Sequence, residues 1–214
     1  MKIKYSLFVV LSIIISSCKL SGIKGNGDVQ SEIRKIENFD KIDVSGKYIV
    51  DINIDKNLKL EIEAESNFFK YIKTEVKNDI LFIYSSENLK PTEDLRIRLD
   101  IPKLNGIECS GANEIYAKGI NSSDFKVDLS GASSINLAGK SSLLKIDVSG
   151  AADLFAKEFF SEDVEIDVSG AANAEVFASN SLDADVSGAG NIQIYGDAKK
   201  VKTNISGAGS IDRK

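Results

Sequence analysis

Histidine and tryptophan are absent from this 214-residue chain, methionine occurs once, and proline and cysteine occur twice each. Each shortage excludes something. Without imidazole there is no Ser-His or Cys-His nucleophile pair and no histidine metal ligand. Two prolines leave almost every backbone N–H available to a hydrogen-bonded ladder. The charge balance, 27 basic against 32 acidic side chains and a net charge of −5, lacks the basic excess that nucleic-acid binding requires, so no nucleic-acid partner is expected. No Gly-Lys-Ser/Thr follows the Gly25-Asn26-Gly27-Asp28 start, which excludes a phosphate loop, and no residue pattern calls for a cofactor. What is present is a 43% hydrophobic content, enough for a core, and sixteen glycines that need a purpose.

The N-terminus carries an address. Lys2 and Lys4 precede an apolar run over residues 7–15, too short for a transmembrane helix of roughly 20 residues. A basic start, a short apolar stretch and small residues describe an export signal over 1–17. Ile15-Ser16-Ser17-Cys18 is similar to the bacterial lipobox, which implies cleavage before Cys18 and acylation of its thiol. The chain is thus expected to be a cell-envelope protein, lipid-anchored to a membrane, with the outer membrane of a Gram-negative bacterium as its address. Acylation of Cys18 leaves only Cys109, so no intramolecular disulfide forms. Cys109 occupies a position filled elsewhere by valine, leucine or isoleucine and reads as a small buried hydrophobe. Residues 18–30, polar and glycine-rich without a period, read as a flexible tether.

Repetition is the strongest signal. A Ser-Gly-Ala triplet recurs six times, at Gly111, Gly131, Gly150, Gly170, Gly188 and Gly207, with spacings of 20, 19, 20, 18 and 19 residues. Between triplets the apolar residues alternate with period two, as in Phe125/Val127/Leu129, Leu144/Ile146/Val148 and Val164/Ile166/Val168, which predicts strands. About 19 residues of strand give a perimeter near 60 Å, too short for a propeller blade and suited to one coil of a parallel β-helix rising about 4.8 Å per coil. An antiparallel meander is the competing architecture; identical corners favour coils. The expected fold is therefore all-β, a single-chain parallel β-helix over residues 107–214, with right-handed coils as the common form. Glycine at each bend follows if the corner needs positive φ or close backbone approach, and corner Ser, Asn and Asp are expected to satisfy backbone groups there.

Residues 31–106 keep the strand character without the period and read as an irregular β-rich capping segment. Ile42-Asp43-Val44-Ser45-Gly46 repeats the corner element, making Gly46 a seventh, outlying corner. Residues 66–72 predict one or two helical turns, residues 74–84 a hairpin, and residues 95–101 a strand ending at Pro102.

These residues resemble the head GIN domain family of putative auto-transporter adhesins. The likeness rests on Phe39-x-x-Ile42-x-Val44-Ser45-Gly46, on the 95–102 strand ahead of Leu104-x-x-Ile107, and on the Ser-Gly-Ala series ending in Ser210-Ile211. It spans residues 31–214. The resemblance implies a β-helical fold, an envelope location, an origin largely among Bacteroidota, and no catalytic motif.

Three groups of side chains bear on function. Asp128, Asp147, Asp167 and Asp185, extended by Asn204, should form an outward ladder that a cation such as Ca²⁺ could bridge; Lys126, Lys145 and Lys202 on the same side favour a neutralised, solvated face instead. Tyr116, Phe155 and Tyr195 share one outward or corner position only loosely; packing against loops is the favoured reading for them, and aromatic contact to a glycan the other. Ser45 and the repeat serines have no base beside them. The expectation is a non-catalytic binding, structural or adhesion module with a glycan or protein ligand and an open terminal coil at which copies could self-associate. The alternative is a glycan-processing enzyme of the lyase or hydrolase kind, which rests on fold analogy alone; a carrier or sensor of envelope stress is a third reading.

Overall fold

A computed structural model describes residues 22–214 of the chain. Four long strands wind through most of the repeat region: Glu114–Gly131, Ser134–Gly150, Asp153–Gly170 and Asn173–Gly188, followed by a coil divided into Asn191–Tyr195, Lys200–Gly207 and Ser210–Arg213. Every neighbouring pair among them is parallel, which settles coils over meander. The cause is the alternation itself. Ile115, Ala117, Ile120, Phe125, Val127 and Leu129 point inward and are each no more than 3% exposed, and all but Ile120, which pairs with Gly139, stack on an apolar counterpart in the next coil. Columns such as Ile115/Ile135/Leu154/Ala174/Ile192 fill the interior, at roughly 1.5–3 kcal/mol for each large side chain buried.

The corners explain the glycines. Gly46, Gly111, Gly131, Gly150, Gly170, Gly188 and Gly207 are successive partners in one parallel ladder. At Gly131 φ is +97°, a conformation that side chains strain, and a Cβ there would sit 2.5 Å from the Gly111 carbonyl oxygen. Beyond each corner an alanine N–H donates to the glycine carbonyl of the coil before, as Ala132 does to Gly111 and Ala151 to Gly131, both at 2.8 Å. Backbone thus caps backbone. The corner serines Ser130, Ser149 and Ser169 do less than expected: their hydroxyls reach carbonyls of the preceding coil only at 3.4–3.5 Å.

Gly46 is not outlying in space. Lys41–Gly46 lies directly beside Gly106–Gly111 in register, and Ile49–Ile54 continues under the start of Glu114–Gly131. Residues 41–54 therefore form the first rung of the solenoid, and the head is an excursion from it. On one side Ile80–Ser85 adds a parallel strand and Ile72–Lys77 an antiparallel one. Their hairpin turns through Asn78 and Asp79, with φ of 52° and 61°, the backbone twist that two-residue hairpins favour. On the other side Arg96–Ile101, Lys59–Glu65 and Val29–Arg34 follow in that order, the last two pairings antiparallel. The helical turn expected over 66–72 is a short 3-10 turn, Ser66–Phe68, that buries Phe68.

Residues 22–30 depart from the flexible tether. Ile23–Lys24 pairs with Leu89–Lys90, and Val29 begins the outermost strand of the head. The reason is Glu65, a fully buried carboxylate that accepts from Gly27 N at 2.7 Å, Thr92 N at 2.9 Å and Thr92 Oγ1 at 2.7 Å. Burial pushes this carboxyl up, but the donors from Thr92 and Gly27 outweigh it and hold it below the ordinary glutamate range. The glycines that looked like tether let the backbone approach it: a Cβ on Gly25 would collide with the Glu65 carboxylate. The expected signal peptide and Cys18 lie outside the described residues.

Candidate functional site

Two faces of the solenoid carry the side chains singled out by sequence. The first is the acidic column. Asp128, Asp147, Asp167, Asp185 and Asn204 are in register, and the column runs further back than the repeat indicated, through Glu108 to Asp43. Six carboxylates thus stand about 4.8 Å apart along one line. Burial, then Asp185 and Asp147, push the Asp167 carboxyl up; burial, then Glu108 and Asp128, push Asp43 up. The lysines neutralise the column unevenly. Lys126 reaches Asp128 at 3.5 Å, but Lys145 turns to Glu165 at 2.7 Å and Lys202 to Asp183 at 2.9 Å. A line of carboxylates on a flat sheet does not converge on a point, and no group of three or more carboxylates among the described residues could hold a metal ion.

The second face holds aromatic rings. Tyr116, Asn136 and Phe155 occupy one outward column in successive coils, which sets the two rings about 10 Å apart along the axis with the amide between them. They are 45% and 40% exposed. Tyr195, expected with them, stands elsewhere: it pairs with Phe177, which pairs with Phe160. The separation is set by distance from the corner: Gln193, paired through Glu175 with Phe155, takes that column, and Tyr195 lies two residues beyond it. Three residues, Lys157 to Phe159, intervene between the paired positions Ala156 and Phe160, whereas their partners Val176 and Phe177 are consecutive, which brings Phe160 beside Phe177. The Phe160 and Phe177 rings meet edge to face at 4.9 Å and form a second, separate aromatic column.

Around Tyr116 and Phe155 lies an open depression of about 480 Å³. Ala138 leaves its floor low between Lys118 and the Lys157-Glu158 bulge, and Asp51 of the first rung and Arg98 of the head close the far side. Arg98 is engaged by Glu63 at 3.0 Å and Glu61 at 3.6 Å, and Asp51 by Arg96 at 3.2 Å. The side chains of Asn136, Lys118, Lys157 and Glu158 make no hydrogen bond or ion pair with the described residues. The uneven spacing of 20 residues before Gly170 and 18 after it was the sequence signal for this bulge.

Cys109 is 3% exposed; its thiol donates to Ser133 Oγ and accepts from Asn113 Nδ2, each at 3.3 Å, and burial pushes it up. That is an inert environment for a thiol.

The family model described as "Putative auto-transporter adhesin, head GIN domain" matches residues 38–198. The chain belongs to that family. Solved structures agree in fold. A "putative adhesin" from Bacteroides fragilis superposes with a TM-score of 0.76 at 19% identity, covering 90% of this chain and 100% of that one. A "putative lipid binding protein" from Parabacteroides distasonis gives 0.55 at 20% identity, with 90% and 99% covered. A "putative adhesin" from Parabacteroides merdae gives 0.54 at 15%, with 91% and 100% covered. No curated protein matches the chain.

Proposed function

We propose that this protein is an adhesion module of the cell envelope, exported by residues 1–17, anchored through lipid on Cys18 and acting by binding rather than by bond cleavage. The observation that carries the reading is the family match over most of the solenoid, together with the adhesin descriptions of structural neighbours from Bacteroides and Parabacteroides. The physical form agrees with it. A rigid stack of coils displays long, flat columns of outward side chains without moving parts, a surface suited to multivalent contact. Among the described residues no helix is long and apolar enough to cross a membrane; what supports attachment through Cys18, in the outer membrane of a Gram-negative cell, is the lipobox-like Ile15-Ser16-Ser17-Cys18.

The test has two arms. Cys18→Ala should shift the protein from the membrane fraction to the soluble one; unchanged partitioning would contradict the anchor. Beads carrying the purified full chain should be retained on surfaces coated with mixed polysaccharide and extracellular-matrix protein. Beads that wash off as readily as uncoated beads would contradict adhesion.

A further inference from the structure

The face around Asn136 supplies more than a general surface. Resting on the adhesive reading above, we propose that the depression between Tyr116 and Phe155 binds pyranose rings of a glycan, with Asn136, Lys118, Lys157 and Glu158 holding the hydroxyls.

Four observations converge on this chemistry. First, two of the most exposed large aromatic side chains share one column and flank one depression, although exposing an aromatic ring to water is costly and columns of Asn, Glu and Gln were available in neighbouring coils. A pyranose presents a flat C–H face that stacks on the electron-rich face of such a ring, and a separation of about 10 Å suits rings two sugars apart in an extended chain. Second, the polar groups between the rings are unspent: Asn136 has a donor pair and an acceptor free, and Lys118, Lys157 and Glu158 have no internal partner. Sugar hydroxyls need donors and acceptors side by side. The remaining charges, Arg98 and Asp51, are neutralised within the protein, so the site shows no strong field that would select a highly charged ligand.

Third, the depression is built by departures from the repeat. Gly119 with φ +79°, the register shift after Lys118, and the Lys157-Glu158 bulge all lie at its rim, and bulges of this kind re-aim side chains beside binding sites. A scaffold needing only to stack would have no use for them. Fourth, the alternatives fit less well. An extended peptide adds to a sheet through a free edge, but these strands lie mid-sheet with both neighbours in place. An acyl chain calls for an enclosed apolar cavity, and this depression is open with an amide on its floor.

The experiment is titration calorimetry of the full chain in mild detergent against cello-, chito- and mannotetrasaccharides. Saturable binding of at least one is expected. Tyr116→Ala with Phe155→Ala should weaken it at least 10-fold, about 1.4 kcal/mol, and Ala138→Trp, which fills the depression, should do the same. Tyr116→Phe, which keeps the ring, should retain binding. Phe160→Ala, a similarly exposed ring outside the depression, should leave it unchanged. Equal loss in Phe160→Ala, or full binding in the double variant, overturns the site. If no oligosaccharide binds while coated beads still adhere to matrix protein, the glycan inference falls and the adhesive reading stands; if neither occurs, both fall.

Discussion

From Gly106 onward each strand meets a near copy of itself in the next coil; in the excursion between residues 54 and 106 no strand does. The coils are held by iteration: a glycine carbonyl under every alanine N–H, an apolar residue over an apolar residue. The head is held by single stitches. Glu65 ties residues 27 and 92 together, the Arg34 guanidinium donates to the Ile72 and Phe69 carbonyls at 2.7 and 2.9 Å, and the Tyr48 hydroxyl bonds Ser85. Iteration tolerates variation in any one outward residue but transmits a corner defect to both neighbours. A stitched lobe tolerates nothing at the stitch and is indifferent elsewhere.

Substitutions should separate these two modes. The largest effect belongs to a corner. Gly131→Val places a β-branched side chain at φ +97° against the Gly111 carbonyl and should cost about 4 kcal/mol. Loss of protection in hydrogen exchange should then extend along the coils on both sides, and protection lost only at residues near 131 would argue against coupled corners. Next comes the stitch. Glu65→Ala strands buried donors and should cost about 3 kcal/mol, with exchange rising first in residues 22–34 and 89–93 while the coils stay protected.

Acid should divide the regions as well. The folded carboxyl of Glu65 is held low, so its stabilisation is complete above the unfolded glutamate value and disappears as pH falls through the lower, folded one. Asp167 and Asp43 are held high. Their destabilisation is complete above the folded value and is relieved as pH falls through it toward the unfolded one. Mild acidification should therefore firm the coils slightly before stronger acid loosens the head, which exchange measured across a pH series would reveal; a head that loosens first would reverse the assignment. Asp167→Asn should stabilise by only a few tenths of a kcal/mol, because an exposed side chain is well screened. Smallest of all, millimolar calcium should leave the melting temperature unchanged; a clear rise would restore the acidic column as a cation site.

Sequence made the coils readable because their causes are local. Period-two alternation and a recurring glycine report the strand and the corner within a few residues of where they act. Gly46 was recognised as a corner, yet its place beside Gly111 was hidden by the excursion that separates them in the chain. Glu65 carried no signal in the sequence, since its partners at Gly27 and Thr92 are brought to it only by the fold. The same long-range bonds turned a glycine-rich stretch from apparent tether into structure. Tyr116 and Phe155 were grouped correctly and Tyr195 was not, because Tyr195 lies two residues further from its corner glycine, where Gln193 takes the Phe155 column. Asn136 and Ala138 carried no signal of their own: an amide and a methyl acquire a role only when the coils set them between two rings.

The claim that this solenoid binds without cleaving is most directly tested by incubating the purified chain with mixed polysaccharides and measuring bound protein and new reducing ends together. Retention with no product above the protein-free control is the predicted result. Saturable release of reducing ends, proportional to protein added, would contradict it and make the protein a glycan-processing enzyme.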